Sequence, residues 1–229
     1  MVSEPLPFGP GPAVAPPEGP CPRTAARLEA GRLTHAEAHL ARLTSSGPPT
    51  PWLDAAFRAA QAHYAAAPDG MLRLRFDWAG GRLWTAWEAL PATPSPYRLL
   101  PLTHPLPPAA APRVKGVDGA WHPAVLATAR AAGAHDALLL WPDGTVAETA
   151  IAAVALQLEG ALWVPPVGGR VASLGESLDL PAWASARGLP LGTRAFDLAT
   201  AARGTLWCLN AVRGVWQAES SAPLPPMNG

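Results

Sequence analysis

Leu72, Leu74, Phe76 and Trp78 alternate with Arg73, Arg75 and Asp77, and after Gly80-Gly81 the alternation resumes at Leu83, Thr85 and Trp87. A period of two places the apolar set on one face of a strand, and paired glycines suit a two-residue hairpin turn. The segment therefore reads as a half-buried antiparallel hairpin. Upstream, Thr24 to Leu28 fits a short strand turned by Glu29-Ala30-Gly31. Thr34-His35-Ala36-Glu37 fits a capping box that opens a helix to about Ser45. A second helix is expected from Thr50-Pro51 to about Ala66, with proline in its first turn.

A strand at Tyr97 to Leu102 leads into Pro101, Pro105, Pro107, Pro108 and Pro112, a stiff connector and the expected domain boundary. Beyond it, His122-Pro123 starts a helix that Gly133 stops. Asp136 to Trp141 reads as a buried strand, Asp143-Gly144 as a turn, and Thr145 to Glu148 as the return. Ile151 to Leu156 and Ala161 to Val164 flank Glu159-Gly160 as another hairpin. Helices are expected at Leu180 to Ala186 and Asp197 to Ala202, with a strand at Leu206 to Leu209. The expected organisation is an irregular Pro/Gly-rich arm over 1–22, an N-terminal α+β domain over 23–108, and a C-terminal domain over 109–229. The fold class is α/β or α+β with antiparallel pairing.

Net formal charge is zero, so no basic field is available to attract nucleic acid or an anionic membrane. No apolar stretch reaches spanning length, and the start lacks the regions of a signal peptide. Cys21 and Cys208 stand far apart without metal-ligand spacing, which fits a reducing cytoplasm. Ten tryptophans suit core and interface packing.

Lys115 is the single lysine, beside sixteen arginines. Guanidinium stays protonated, so arginine cannot replace an amine that must lose its proton and attack a carbonyl. One surviving lysine fits covalent chemistry; it also fits one ordinary solvated side chain. The surrounding motifs bear on that choice. His39-Leu40-Ala41-Arg42-Leu43 follows a short strand and a glycine turn. After Lys115 come a helix, Gly133-Ala134-His135-Asp136-Ala137-Leu138-Leu139-Leu140, then Asp143-Gly144-Thr145-Val146-Ala147-Glu148, then Trp163-Val164-Pro165-Pro166, then Cys208-Leu209-Asn210-Ala211. From about Thr24 to Gln217 this ordered set resembles the class IV aminotransferase family.

The resemblance implies a two-domain fold-type IV architecture, similar to D-amino-acid aminotransferase, and a pyridoxal 5'-phosphate cofactor. It implies that Lys115 holds the cofactor and shuttles protons, and that Glu148 meets the pyridine nitrogen. It assigns the phosphate to Arg42 and to loops around Gly175 and Asn210-Ala211. It further implies a homodimer acting on an amino-acid-like small molecule, with neither nucleic acid nor membrane as partner. Aminodeoxychorismate lyase is the favoured activity, because the chain is short and has no evident extra carboxylate-recognition motif. Branched-chain or D-amino-acid aminotransferase is the alternative. Without the resemblance, Glu148 reads as a solvated strand-end residue, Arg42 as a surface residue and His39 as a structural hydrogen-bonding residue.

The chain departs from the family pattern in four places. The strand pair expected before the first helix is abbreviated. Ala150-Ile151-Ala152-Ala153-Val154 is wholly apolar where the family carries Ser and Asn. Trp121 stands where a tyrosine is expected. Leu174-Gly175-Glu176-Ser177 occupies the place of a GxTR turn, and Glu176 would repel a phosphate dianion unless directed away. A homologue that has lost cofactor binding therefore stays open as a third reading.

Overall fold

The period-two run at 71–79 forms the middle strand of the first of two sheets. In the computed structural model, residues 4–9, 21–46, 52–66, 70–107, 115, 117, 121–168 and 170–221 are described. Those up to Ala92, with Lys115 and Val117, form one compact unit, and the described residues from Thr93 onward form the other.

The first unit contains β1 (Leu6–Phe8), β2 (Arg23–Glu29), β3 (Arg32–Leu33), α1 (Ala36–Ser46), α2 (Leu53–Tyr64), β4 (Met71–Ala79) and β5 (Arg82–Ala89). Its sheet runs β1-β5-β4-β2-β3, antiparallel throughout. Gly80 and Gly81 both take positive φ, as the hairpin reading requires, and Ala30-Gly31 turns β2 into β3 in the same way. Leu40 and Leu43 of α1 join Leu53, Phe57 and Ala60 of α2 over Leu74, Phe76 and Leu83. Phe57 stacks on Phe76 with centroids 4.9 Å apart. The opposite face of β4 carries Asp77, which is buried because Arg23 and Arg75 both pair with it.

Two expectations change here. Part of the arm is ordered: Leu6, Pro7 and Phe8 pair with Thr85, Trp84 and Leu83 as an edge strand, where proline is tolerated. Residues 10–20 of that arm lie outside the described residues, as does the expected Thr50-Pro51 helix start; α2 is seen from Leu53, with Trp52 as its N-cap. The side chains of the capping box are engaged elsewhere. The Thr34 hydroxyl accepts from Arg27 at 3.4 Å, and Glu37 gives both oxygens to Arg58 at 2.7 and 3.1 Å.

The second unit contains β6 (Tyr97–Thr103), α3 (Trp121–Ala131), β7 (Asp136–Leu140), β8 (Val146–Thr149), β9 (Ala153–Leu158) and β10 (Ala161–Val164). A π-helical turn (Gly175–Asp179) then leads into α4 (Leu180–Ser185), β11 (Leu191–Thr193), α5 (Leu198–Ala201), β12 (Thr205–Asn210) and β13 (Gly214–Ser220). Its eight-stranded sheet runs β11-β10-β9-β12-β13-β6-β7-β8. The β6–β7, β6–β13 and β10–β11 pairs are parallel and the rest antiparallel. Buried Leu99, Leu138, Val154, Leu156 and Trp216 fill one core.

The division between units differs from the proline-based boundary at 108. β6 is apolar on both faces, with Leu99 and Leu100 both buried, and it finds parallel partners in β7 and β13. Lys115 returns to the first unit, where its carbonyl accepts the Arg23 amide at 2.9 Å. The proline run marks a connector without saying on which side the strand before it, or the lysine after it, will pack.

Candidate functional site

The first unit gathers charge at the buried end of α1. His39 and Arg42 lie three residues apart, on one helical face. His39 is 1 % exposed, and its Nδ1 lies 2.7 Å from the Thr24 hydroxyl on β2. Its Nε2 is buried and has no hydrogen-bond partner. Burial first, then the positive charges of Lys115, Arg42 and His35, push the imidazole pKa down from 6.5 to about 3. Burial also lowers the Arg42 guanidinium. Lys115, Arg42, His39 and His35 thus form one electrostatic cluster. Only His39 of the four is buried, and its burial beside these positive charges favours the neutral imidazole. His35, the second residue of the expected capping box, lies just ahead of α1 with φ of +55°.

That cluster has a measurable signature. The folded state disfavours protonated His39, so its contribution to stability is complete above pH 6.5. It is lost as pH falls from there toward about 3, at up to about 1.4 kcal/mol per pH unit. His39→Gln should flatten the acid limb of denaturant midpoints over that window. An unchanged limb would place the acid sensitivity elsewhere.

In the second unit, Glu148 is half-buried on β8, opposite Leu139 of β7. The corner after it is tied down. Thr149 accepts the Ala152 amide at 2.9 Å and donates to the Ala152 carbonyl at 3.0 Å. Asp136, at the start of β7, is fully buried and accepts the Ala137 amide at 2.8 Å. Burial raises its pKa to about 6. The nearby Thr149 hydroxyl and the Ala150 and Ile151 amides pull the other way, without closing a bond of normal geometry to Oδ2.

The same corner touches the β12–β13 turn. Asn210 donates to the Ile151 carbonyl at 3.3 Å, and its Oδ1 accepts the Val212 and Arg213 amides at 3.0 and 2.8 Å. The Asn210 side chain therefore shapes the turn. Gly175 packs directly against this turn. A Cβ there would lie 2.7 Å from the Asn210 carbonyl carbon, 2.9 Å from its Cα and 3.0 Å from the Ala211 nitrogen. Gly175 and Asn210, thirty-five residues apart in sequence, thus meet backbone to backbone.

Glu176, the departure that would repel a phosphate, is neutralised by Arg170 through two 2.7 Å hydrogen bonds. Sequence reasoning missed Arg170, because an isolated arginine in a Pro/Gly-rich loop carries no periodic signal. It also missed Thr24 as the partner of His39. Trp121 packs beside His104, which itself lies against Trp141 with centroids 4.3 Å apart.

Among the described residues, no helix is long and apolar enough to cross a membrane, and no group of three or more His, Cys, Asp or Glu could hold a metal. No curated protein sequence matches the chain significantly. Solved structures do match. A protein assigned as a 4-amino-4-deoxychorismate lyase is 28 % identical with a TM-score of 0.77, over 94 % of this chain and 91 % of that one. The 4-amino-4-deoxychorismate lyase of Pseudomonas aeruginosa is 22 % identical with a TM-score of 0.71, over 96 % and 92 %. A hypothetical aminotransferase from Mycobacterium tuberculosis, bound to α-ketoglutarate and pyridoxamine phosphate (PMP), is 21 % identical with a TM-score of 0.78, over 96 % and 91 %. These establish the fold-type IV architecture, and the family model for amino-transferase class IV matches residues 24–220. The chain belongs to the amino-transferase class IV family, whose members depend on pyridoxal phosphate and act on small amino-acid-like molecules.

Proposed function

We propose that this protein is a pyridoxal-phosphate enzyme that converts 4-amino-4-deoxychorismate to 4-aminobenzoate and pyruvate, working as a cytoplasmic homodimer. The observation that carries the reading is the cluster of Lys115 and Arg42 around a neutral, buried His39. Lys115 is the side-chain amine that would hold the cofactor. Arg42 would bind its phosphate, helped by the Gly175 and Asn210-Ala211 backbone, and Glu148 would meet the ring nitrogen. By residue type the set suits the group: an amine, a carboxylate and a guanidinium, with Gly175 held too close to the Asn210–Ala211 backbone for any side chain.

When bound, the cofactor supplies an electron sink for the pair left as a substrate C–H bond breaks. The Lys115 amine removes the proton from the carbon bearing the substrate amino group. The carbon–oxygen bond to the enolpyruvyl unit then breaks and the ring becomes aromatic. The proton is returned to the methylene carbon of the leaving enolpyruvate, giving pyruvate. One substrate yields two products, without oxidant or reductant.

The lyase assigned at 28 % identity supports this choice of reaction. The M. tuberculosis relative with α-ketoglutarate supports the alternative, an aminotransferase using the same Lys115 and Glu148. The test is borohydride reduction of the purified protein with pyridoxal phosphate, followed by peptide mapping. Substrate assays come next. Label on Lys115 with 4-aminobenzoate formation supports the lyase. Label with transfer between amino acids and 2-oxo acids supports the aminotransferase. Absence of label would overturn both and leave a homologue that no longer binds the cofactor.

A further inference from the structure

Arg170 and Glu176 form a buried ion pair six residues apart, Arg170 on the irregular segment ahead of the π-helical turn and Glu176 within that turn. The Arg170 side chain is 1 % exposed and that of Glu176 is 10 % exposed. Nη1 donates to Oε2 and Nη2 to Oε1, both at 2.7 Å, a parallel bidentate arrangement. Nη2 also donates to the Pro165 carbonyl at 3.0 Å, which anchors the guanidinium to the end of β10. Glu176 is thereby fixed next to Gly175, whose backbone lies against Asn210 and Ala211.

A pair this dry is a poor choice for stability alone, since apolar residues of similar volume often do as well. Its effect on local charge is the more distinctive consequence. An unpaired carboxylate adjacent to Gly175 would set a negative charge beside the cradle. Bidentate pairing cancels that charge at short range and aims both oxygens at Arg170.

We propose that Arg170 is a positioning residue that neutralises Glu176, so that the Gly175–Asn210–Ala211 cradle accepts a phosphate monoester. The inference rests on the phosphate role given to that cradle above. It makes Arg170 act through Glu176, without touching ligand.

Equilibrium dialysis with pyridoxal phosphate and with unphosphorylated pyridoxal tests it in four proteins: wild type, Arg170→Met, Glu176→Gln and the double variant. Arg170→Met should weaken the phosphorylated ligand by about tenfold and pyridoxal hardly at all. Glu176→Gln should shift the phosphorylated ligand the opposite way or leave it unchanged. The double variant removes both charges, so no lone buried ion threatens folding, and it should recover most of the wild-type preference. Equal losses for both ligands, or no recovery in the double variant, would overturn the proposal in favour of a purely structural pair. Wild-type protein that binds the two ligands alike would instead sink the cradle reading itself.

Discussion

Lys115→Arg should abolish turnover, a loss on the order of 10³-fold or more, while the fold and the charge near His39 persist. Arginine keeps a cation where the lysine stood but cannot shed its proton at working pH. The substitution therefore separates electrostatics from nucleophilicity. Lys115 is one of the charges that depress His39. In Lys115→Arg, the His39 titration followed by NMR should stay near its wild-type position; in Lys115→Ala it should rise. Both variants should lose borohydride-stable attachment of pyridoxal phosphate. Activity surviving in Lys115→Arg would remove the lysine from the chemistry altogether, and would return it to the ordinary solvated residue that its count alone allows.

Gly175→Ala should destabilise the second unit by about 1–3 kcal/mol and weaken phosphate-bearing ligands as well. The added methyl would meet Asn210 backbone carbons at 2.7 and 2.9 Å, closer than real Cβ contacts occur. Backbone cannot rotate away as a flexible side chain can, so the two segments must part. Gly168 is a fair control: a Cβ there meets nothing within 4 Å, and its φ is not positive. Denaturant midpoints of the two variants give the comparison. If Gly175→Ala matches Gly168→Ala, the close approach carries no weight and the cradle argument weakens with it.

What could be read from the sequence was mostly local. Turns with positive φ at Ala30-Gly31, Gly80-Gly81 and Glu159-Gly160 are announced by residue type, because few residues tolerate that geometry. The β4–β5 alternation was legible because one face meets water or ions and the other meets α1 and α2. β6 was legible as a strand but not in its pairing, since parallel partners share no turn and lie far away in sequence. β1 was hidden by Pro7, which reads as irregular chain until an edge position is available. The ordered motifs brought Lys115, Glu148, Arg42, Gly175 and Asn210-Ala211 forward together. The partners that set their surroundings were not visible: Thr24 beside His39, Asp136 under the corner after Glu148, and Arg170 against Glu176. Such partners are chosen by tertiary contact, which leaves no periodic trace.

The strand order of the second unit bears on how the chain acquires its shape during synthesis. β13 lies between β12 and β6, and among the described strands it is the one that joins β11-β10-β9-β12 to β6-β7-β8. A nascent chain emerging as far as Arg213 holds two half-sheets with facing unpaired edges. Completion waits for residues 218–220, whose partners at 97–99 were made more than a hundred residues earlier. Loop closure over that span is slow compared with local hairpins. The unit is therefore sealed last, by the strand that follows the turn shaping the proposed phosphate cradle.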